Sequence, residues 1–327
     1  MNVVAFDNLR RKGAERNLFR LGDAGVQFRH GDVRCPSDLA GLSHDLIVEC
    51  SAEPSAQAGY GQSPEYLIAT NLTGCFHCLE LARQVKADFI FLSTSRVYPF
   101  DLVNQLAYTE SDTRFVLAEN QQAPGASGAG ISERFSLDGP RSLYGMTKLA
   151  AELMTEEYAD AYDLRVIINR FGLLTGPYQM AKSDQGVIAL WTAAHAYRRP
   201  LSYIGFGGTG KQVRDFLHID DFCDLLCDQV KHFERYAGKT FNVGGGLANS
   251  LSLRETTALC EEITGNTITI GSEPLNRKAD VRIYLSDHRS VSAVNGWKPR
   301  RNAETTIGDI HRWLCSDQSI APVLFPS

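Results

Sequence analysis

The chain has 327 residues, 33 Lys and Arg against 38 Asp and Glu, and a formal charge of −5. That length can bury a full core as one large α/β domain or two modest ones. The charge argues against nucleic acid, since no basic excess exists to displace phosphate counterions. No apolar run approaches 18 residues, which argues against a membrane span. The opening Met1-Asn-Val-Val-Ala-Phe-Asp7 lacks the basic region and apolar stretch of a secretory signal. Eight cysteines in such a chain point to reduced thiols. A globular cytoplasmic protein is expected.

In chain order, short apolar runs at 3–6, 26–28, 46–48, 89–92 and 166–168 read as parallel strands covered on both faces. A helix is expected from Ser63-Pro64, a cap followed by proline in the first turn, with Leu67, Cys75, Phe76, Leu79 and Ala82 on its apolar stripe. Another is expected over 142–162, with Leu149, Ala150, Leu153 and Met154 inward. This alternation predicts a doubly wound α/β sheet. Residues 121–132 are loop by composition and read as either a lid or a mobile surface insertion. Beyond Arg170 come a helix near 186–197, a loop over 205–214, a strand over 240–243 and further helices. The expected organisation is a dinucleotide-binding unit over 1–172, rejoined by 212–246, with a smaller α/β substrate unit over 173–211 and 247–327.

The most informative segment is Tyr144-Gly-Met-Thr-Lys148. Positions i and i+4 share a helix face, so phenol and ammonium point to the same place. The cation favours the phenolate and makes a usable general base. Alone, such a pair is common on helix surfaces. Upstream, however, a buried strand ends in Ser93-Thr94-Ser95, putting hydroxyls at a carboxyl end, where α/β sheets bind ligands.

On these residues the chain resembles the extended short-chain dehydrogenase/reductase family, the sugar-nucleotide epimerases and dehydratases. The family signature of Ser/Thr plus Tyr-x-x-x-Lys matches Thr94, Tyr144 and Lys148. The resemblance implies a Rossmann-like parallel sheet, NAD as cofactor and a nucleotide-diphospho-sugar as substrate. Asp7, in Phe6-Asp7-Asn8-Leu9, matches the acidic residue that holds the adenosine ribose. With Asn8 it favours NAD over NADP, a preference that Arg10 and Arg11 weaken. Asp32 and Val33 match the adenine-side turn, and Asn71 the position beside the nicotinamide. Within the family the chain is most similar to the CDP-paratose (CDP-tyvelose) 2-epimerase group. That similarity is carried by 7–13, Gln179 with Asp184-Gln185-Gly186, Gly210-Lys211-Gln212-Val213-Arg214-Asp215, and 241–253. It implies Gln179, Gln185, Arg214 and Arg277 as substrate contacts, the arginines on the diphosphate. It also implies a homo-oligomer. Within the family, a 4-epimerase or sugar reductase would use the same trio. From another class, a non-catalytic sugar-nucleotide binder remains open.

Three departures matter. Where many relatives have His-Leu-Ala-Ala, this chain reads Glu49-Cys50-Ser51-Ala52, and a buried Glu49 would need a partner. Ser95-Arg96 stand where dehydratases carry Asp-Glu, which argues against a dehydratase. Finally, the chain starts at what resembles the family's second strand, without the first strand and its glycine-rich turn. The missing strand would lie mid-sheet, between the strands ending near Phe6 and Val48. Either the chain start is set too late or cofactor binding is lost; the match of the later site residues favours the first.

Two local motifs are set aside. Gly205-Phe-Gly-Gly-Thr-Gly210 fits a dinucleotide turn by spelling, but the residues directly after it, Gln212 to His218, read extended rather than helical. Cys75 and Cys78 read as buried thiols with no metal role, as do Cys223 and Cys227 on their shared helix face. His218 reads as structural.

Overall fold

Residues 1–182 and 185–325 are described by a computed structural model. The chain folds as α/β with parallel sheets. The larger parallel sheet runs, in order, Lys239–Val243, Val166–Phe171, β4 (Asp88–Thr94) and β3 (Leu46–Glu49). Alternating side chains on β4 serve two cores. Phe89 and Phe91 face a layer formed by the helices Gly74–Val85 and Leu143–Tyr162, with Cys75, Leu79, Ala82 and Ala151. Ile90 faces the other side, with Ile167, Leu217, Phe222, Leu225 and Phe241. Near-continuous apolarity in these strands follows from that double cover.

A second parallel pair consists of β1 (Val4–Asp7) and β2 (Gln27–His30). Among the described residues β1 pairs with β2 alone and β3 with β4 alone, so the two sheets do not join. Both pieces share a helical layer, because Phe6 and Val33 pack in the same core as Phe89 and Phe91.

Several expectations need correcting. The first helix runs from Glu65, with the Ser63 hydroxyl accepting from the Glu65 amide at 3.2 Å as the expected cap, but it passes through a π-turn at Ala69–Thr73. Its buried line then runs through Thr70, Asn71, Cys75 and Cys78, leaving Phe76 exposed. The helix Leu143–Tyr162 buries Thr147, Lys148, Ala151, Glu152 and Thr155 instead of its apolar stripe, and Leu153 is 54% exposed. The inward face of that helix is polar because partners wait for each charge.

The segment 121–132 is neither lid nor mobile insertion. It forms a small hairpin of Ala126–Ser127 and Gly130–Ile131 pinned into the core. The Ile131 amide donates to the Leu285 carbonyl at 2.8 Å, and the Ile131 carbonyl accepts from the Asn242 side chain at 2.8 Å. Cys223 and Cys227 are exposed, because Ile219–Lys231 turns Asp221, Phe222, Leu225 and Gln229 inward. Cys75 and Cys78 are buried. After the glycine-rich 205–210 stretch the chain enters the strand Val213–His218, so no helix comes directly after it. His218 caps the next helix, its ring accepting from the Asp220 amide at 3.1 Å. No helix among the described residues is long and apolar enough to cross a membrane.

Candidate active site

Thr94 closes β4 and is 7% exposed; its hydroxyl accepts from the Arg96 amide at 3.2 Å and caps the short turn Ser95–Val97. Opposite it, the Ser142 hydroxyl accepts from the Gly145 amide at 3.1 Å and starts the helix Leu143–Tyr162. This cap places half-buried Tyr144 in the first turn and Lys148 one turn on. Gly145 allows the approach: a Cβ there would lie 2.1 Å from the Arg96 carbonyl oxygen. Helix start and strand end therefore touch at backbone distance.

The Lys148 ammonium is buried, 4.0 Å over the Phe91 ring and 3.8 Å from Glu49 Oε2. Two turns into the helix, Glu152 makes a bidentate pair with Arg170, Nε to Oε1 at 3.0 Å and Nη2 to Oε2 at 2.7 Å. The Ser93 hydroxyl also donates to Glu152, and Arg170 donates to the Tyr98 hydroxyl at 3.2 Å. This buried network fixes the helix against both β4 and Val166–Phe171. Asn71 supplies a further brace. Its side chain accepts from the Glu53 amide at 2.8 Å and donates to the Thr147 hydroxyl at 3.2 Å, tying the segment after β3 to the same helix.

A cleft of about 500 Å³ opens at the carboxyl ends of β1 and β3. Asp7, Asn8, Arg10, Val33, Gln179 and Gln185 all line it. Asp7 accepts from the Leu9 amide at 2.6 Å, and Arg10 stacks 3.9 Å over the Tyr66 ring. Asn8 donates to Asp32 at 2.9 Å. Hydrogen bonding from Arg34, 2.7 Å away, holds the Asp32 carboxyl well below the usual carboxylate range. Gln179 accepts from Thr175 at 2.8 Å and Gln185 from Arg11 at 2.6 Å. Asp184 lies outside the described residues. The Thr70 hydroxyl, buried in the cleft wall, has no hydrogen-bond partner among the described residues.

Thr94, Tyr144 and Lys148 are not among the residues that line this cleft. Their chain neighbours Ser95, Arg96 and Ser142 line a second, narrower cavity with Arg214. There Arg214 donates to Asp280 at 2.7 Å, and Arg96 lies 3.9 Å from the same carboxylate. Burial lowers the pKa of the Arg214 guanidinium to about 10. Half-buried Arg277 sits three residues before Asp280 on the loop after Ile270–Glu273, outside both cavity walls. Among the described residues no group of three or more His, Cys, Asp or Glu could hold a metal.

Sequence reasoning missed the Glu152–Arg170 pair and the placement of Arg96 beside Arg214. A signal existed for the first: Glu152 repeats the Tyr144–Lys148 spacing on the same face, and Arg170 interrupts an apolar strand.

The sequence pattern of the NAD dependent epimerase/dehydratase family matches residues 1–244. The chain belongs to that family. Among its curated members, CDP-paratose 2-epimerase of Salmonella typhi is 30% identical over 97% of this chain and 93% of its own length. Among solved family-like structures, Pal from Bacillus thuringiensis superposes with a TM-score of 0.77, at 23% identity over 96% and 91% of the two chains. UDP-glucuronic acid 4-epimerase from Bacillus cereus, solved with UDP-glucuronic acid and NAD, gives 0.75 at 19% identity over 96% and 91%. These superpositions show a Rossmann-like fold.

Proposed function

We propose that the protein epimerises a nucleotide-diphospho-sugar with NAD through a keto intermediate, at C2 of a CDP-activated sugar. What supports this reading is that β4, which ends in Thr94, meets the start of the helix that carries Tyr144 and Lys148, at the close approach of Gly145 to the Arg96 carbonyl. Similarity to CDP-paratose 2-epimerase along nearly the whole chain supports the sugar and its carbon.

The residues present suit a dinucleotide. The main cleft has a carboxylate at the end of β1, an apolar wall at Val33 and an unsatisfied hydroxyl at Thr70. In this reading Asp7 and Asn8 hold the adenosine ribose, Arg10 borders it, and Asp32 and Val33 form the adenine side. Asn71 and Lys148 would hold the nicotinamide end. Bound NAD would supply reversible hydride transfer.

Tyr144 takes the proton from the sugar hydroxyl as the carbon loses its hydride, and gives that proton back after the keto sugar has turned over. Thr94 donates a hydrogen bond to the reacting oxygen, and the Lys148 charge favours the Tyr144 phenolate. Arg214 faces the diphosphate in the narrower cavity, where Asp280 orients it. Arg277 approaches the same group from the adjoining loop, and Gln179 and Gln185 bound the sugar side. With Ser95 and Arg96 after Thr94, no carboxylic acid stands there to eliminate water. The protein is read as cytoplasmic and homo-oligomeric.

Incubation with CDP-paratose, followed by proton NMR, tests the assignment. Conversion to the C2 epimer by the wild type, abolished in Tyr144→Phe without loss of fold, is expected. Full activity in Tyr144→Phe would refute the catalytic assignment. The likeness to the UDP-glucuronic acid 4-epimerase structure supports a second reading, inversion at C4 of a UDP-sugar. Turnover of UDP-glucuronic acid with CDP-paratose untouched would establish it instead.

A further inference from the structure

Glu49 ends β3, is 4% exposed and points away from solvent. One carboxylate oxygen accepts from the Ser51 amide at 2.9 Å and from the Ser51 hydroxyl. The other oxygen accepts no hydrogen bond among the described residues and faces the Lys148 ammonium at 3.8 Å. Lys148 has no other carboxylate within ion-pair distance among those residues, and the Phe91 ring lies 4.0 Å from its ammonium.

The other charges near the pair are already committed or silent. On the same helix, Glu152 is taken by Arg170. On Gly74–Val85, burial pushes the Cys75 and Cys78 thiols far up, so both stay neutral. The Cys50 thiol, exposed on the cleft side, turns to the Val48 carbonyl at 3.6 Å. From β4 the neighbours Ser93 and Thr94 do not titrate, and Asn71 is neutral.

Without its counter-charge an ammonium this deep carries its desolvation cost unpaired and is held less firmly in the charged form. A neutral Lys148 would no longer favour the phenolate four residues away. We propose that Glu49 is a positioning residue: it pins the Lys148 ammonium, keeps it charged in a dry site, and so keeps Tyr144 ionisable. This rests on the roles given above to Tyr144 and Lys148, but needs no bound cofactor. It also gives a purpose to a carboxylate placed where the family pattern has histidine.

The test is an ultraviolet phenolate titration, with Tyr144 isolated by subtracting the Tyr144→Phe spectrum in each background. Glu49→Gln should raise the Tyr144 midpoint by about one pH unit. Glu49→Asp keeps the charge but withdraws it, and should fall between wild type and Gln. In a Lys148→Met background the Glu49 substitution should add nothing. An unchanged midpoint in Glu49→Gln overturns the proposal, because a purely structural carboxylate would leave the phenol alone. A lowered midpoint overturns it too, since Glu49 would then act by direct repulsion on the phenol. Should the Gln variant not fold, an Asp midpoint equal to wild type has the same force. If Lys148→Met itself leaves the Tyr144 midpoint in place, the parent reading of Tyr144 and Lys148 fails rather than this one alone.

Discussion

Substituting Glu152 by Gln would leave the Arg170 guanidinium buried opposite a neutral amide. Arg170 and Glu152 have side-chain exposures of 6% and 1%, and their two parallel hydrogen bonds hold the site helix to Val166–Phe171. Removing one member of such a pair costs about 3–5 kcal/mol, because the surviving charge keeps its desolvation penalty without its partner. At about 2 °C per kcal/mol for a chain of this size, the melting temperature should fall by roughly 6–10 °C. Urea unfolding of wild type, Glu152→Gln, Arg170→Met and the Glu152→Gln/Arg170→Met double variant would measure it. The double variant should recover most of the loss, since no unpaired charge remains. A Glu152→Gln cost below about 1 kcal/mol, or a double variant worse than the sum of the singles, would refute the assignment of this pair as the helix anchor.

Gly130 adopts φ +120°, and a Cβ there would meet the Leu285 carbonyl oxygen at 2.3 Å, so Gly130→Ala should cost about 2–4 kcal/mol in urea unfolding. A neutral result would mean the 121–132 hairpin is not pinned. Burial raises the Asp215 carboxyl from 3.8 to about 6, although amides of Gly246 and Ser286 donate to it. A raised acid binds its proton more tightly in the folded state, so its contribution is present below pH 4 and lost as pH rises through 6. Relative to Asp215→Asn, the wild type should lose about 3 kcal/mol of stability across that window; parallel pH profiles would contradict it. Maleimide labelling of native protein should modify Cys223 and Cys227 and spare Cys75, Cys78 and Cys260, read by peptide mass spectrometry. Rapid labelling of Cys75 would show that the helical layer opens.

Strand positions were legible because double-sided burial demands unbroken apolarity, and each of the five expected runs overlaps an observed strand. Tyr144 and Lys148 were legible because a helix enforces their spacing. What failed was the inference of buried faces from apolarity alone. Leu153 lies outward and Glu152 inward because Arg170 and Ser93 supply partners from distant strands, which no local pattern encodes. Residues 121–132 looked like loop for a similar reason. Their anchors, Asn242 and Leu285, are more than 100 positions away. Cys223 and Cys227 were misplaced because two thiols on one face fit either side of an amphipathic helix; Phe222 and Leu225 decide it.

Epimerisation by this route requires a hydride that leaves the sugar and comes back to the same carbon. Carrying out the epimerisation of CDP-paratose in deuterium oxide, with NMR of the inverted position, addresses that directly. The product should carry its original protium at C2, because the hydrogen never mixes with water while Tyr144 handles only the hydroxyl proton. Deuterium at C2 would instead show inversion by removal and return of a carbon-bound proton, and would contradict oxidation as the route.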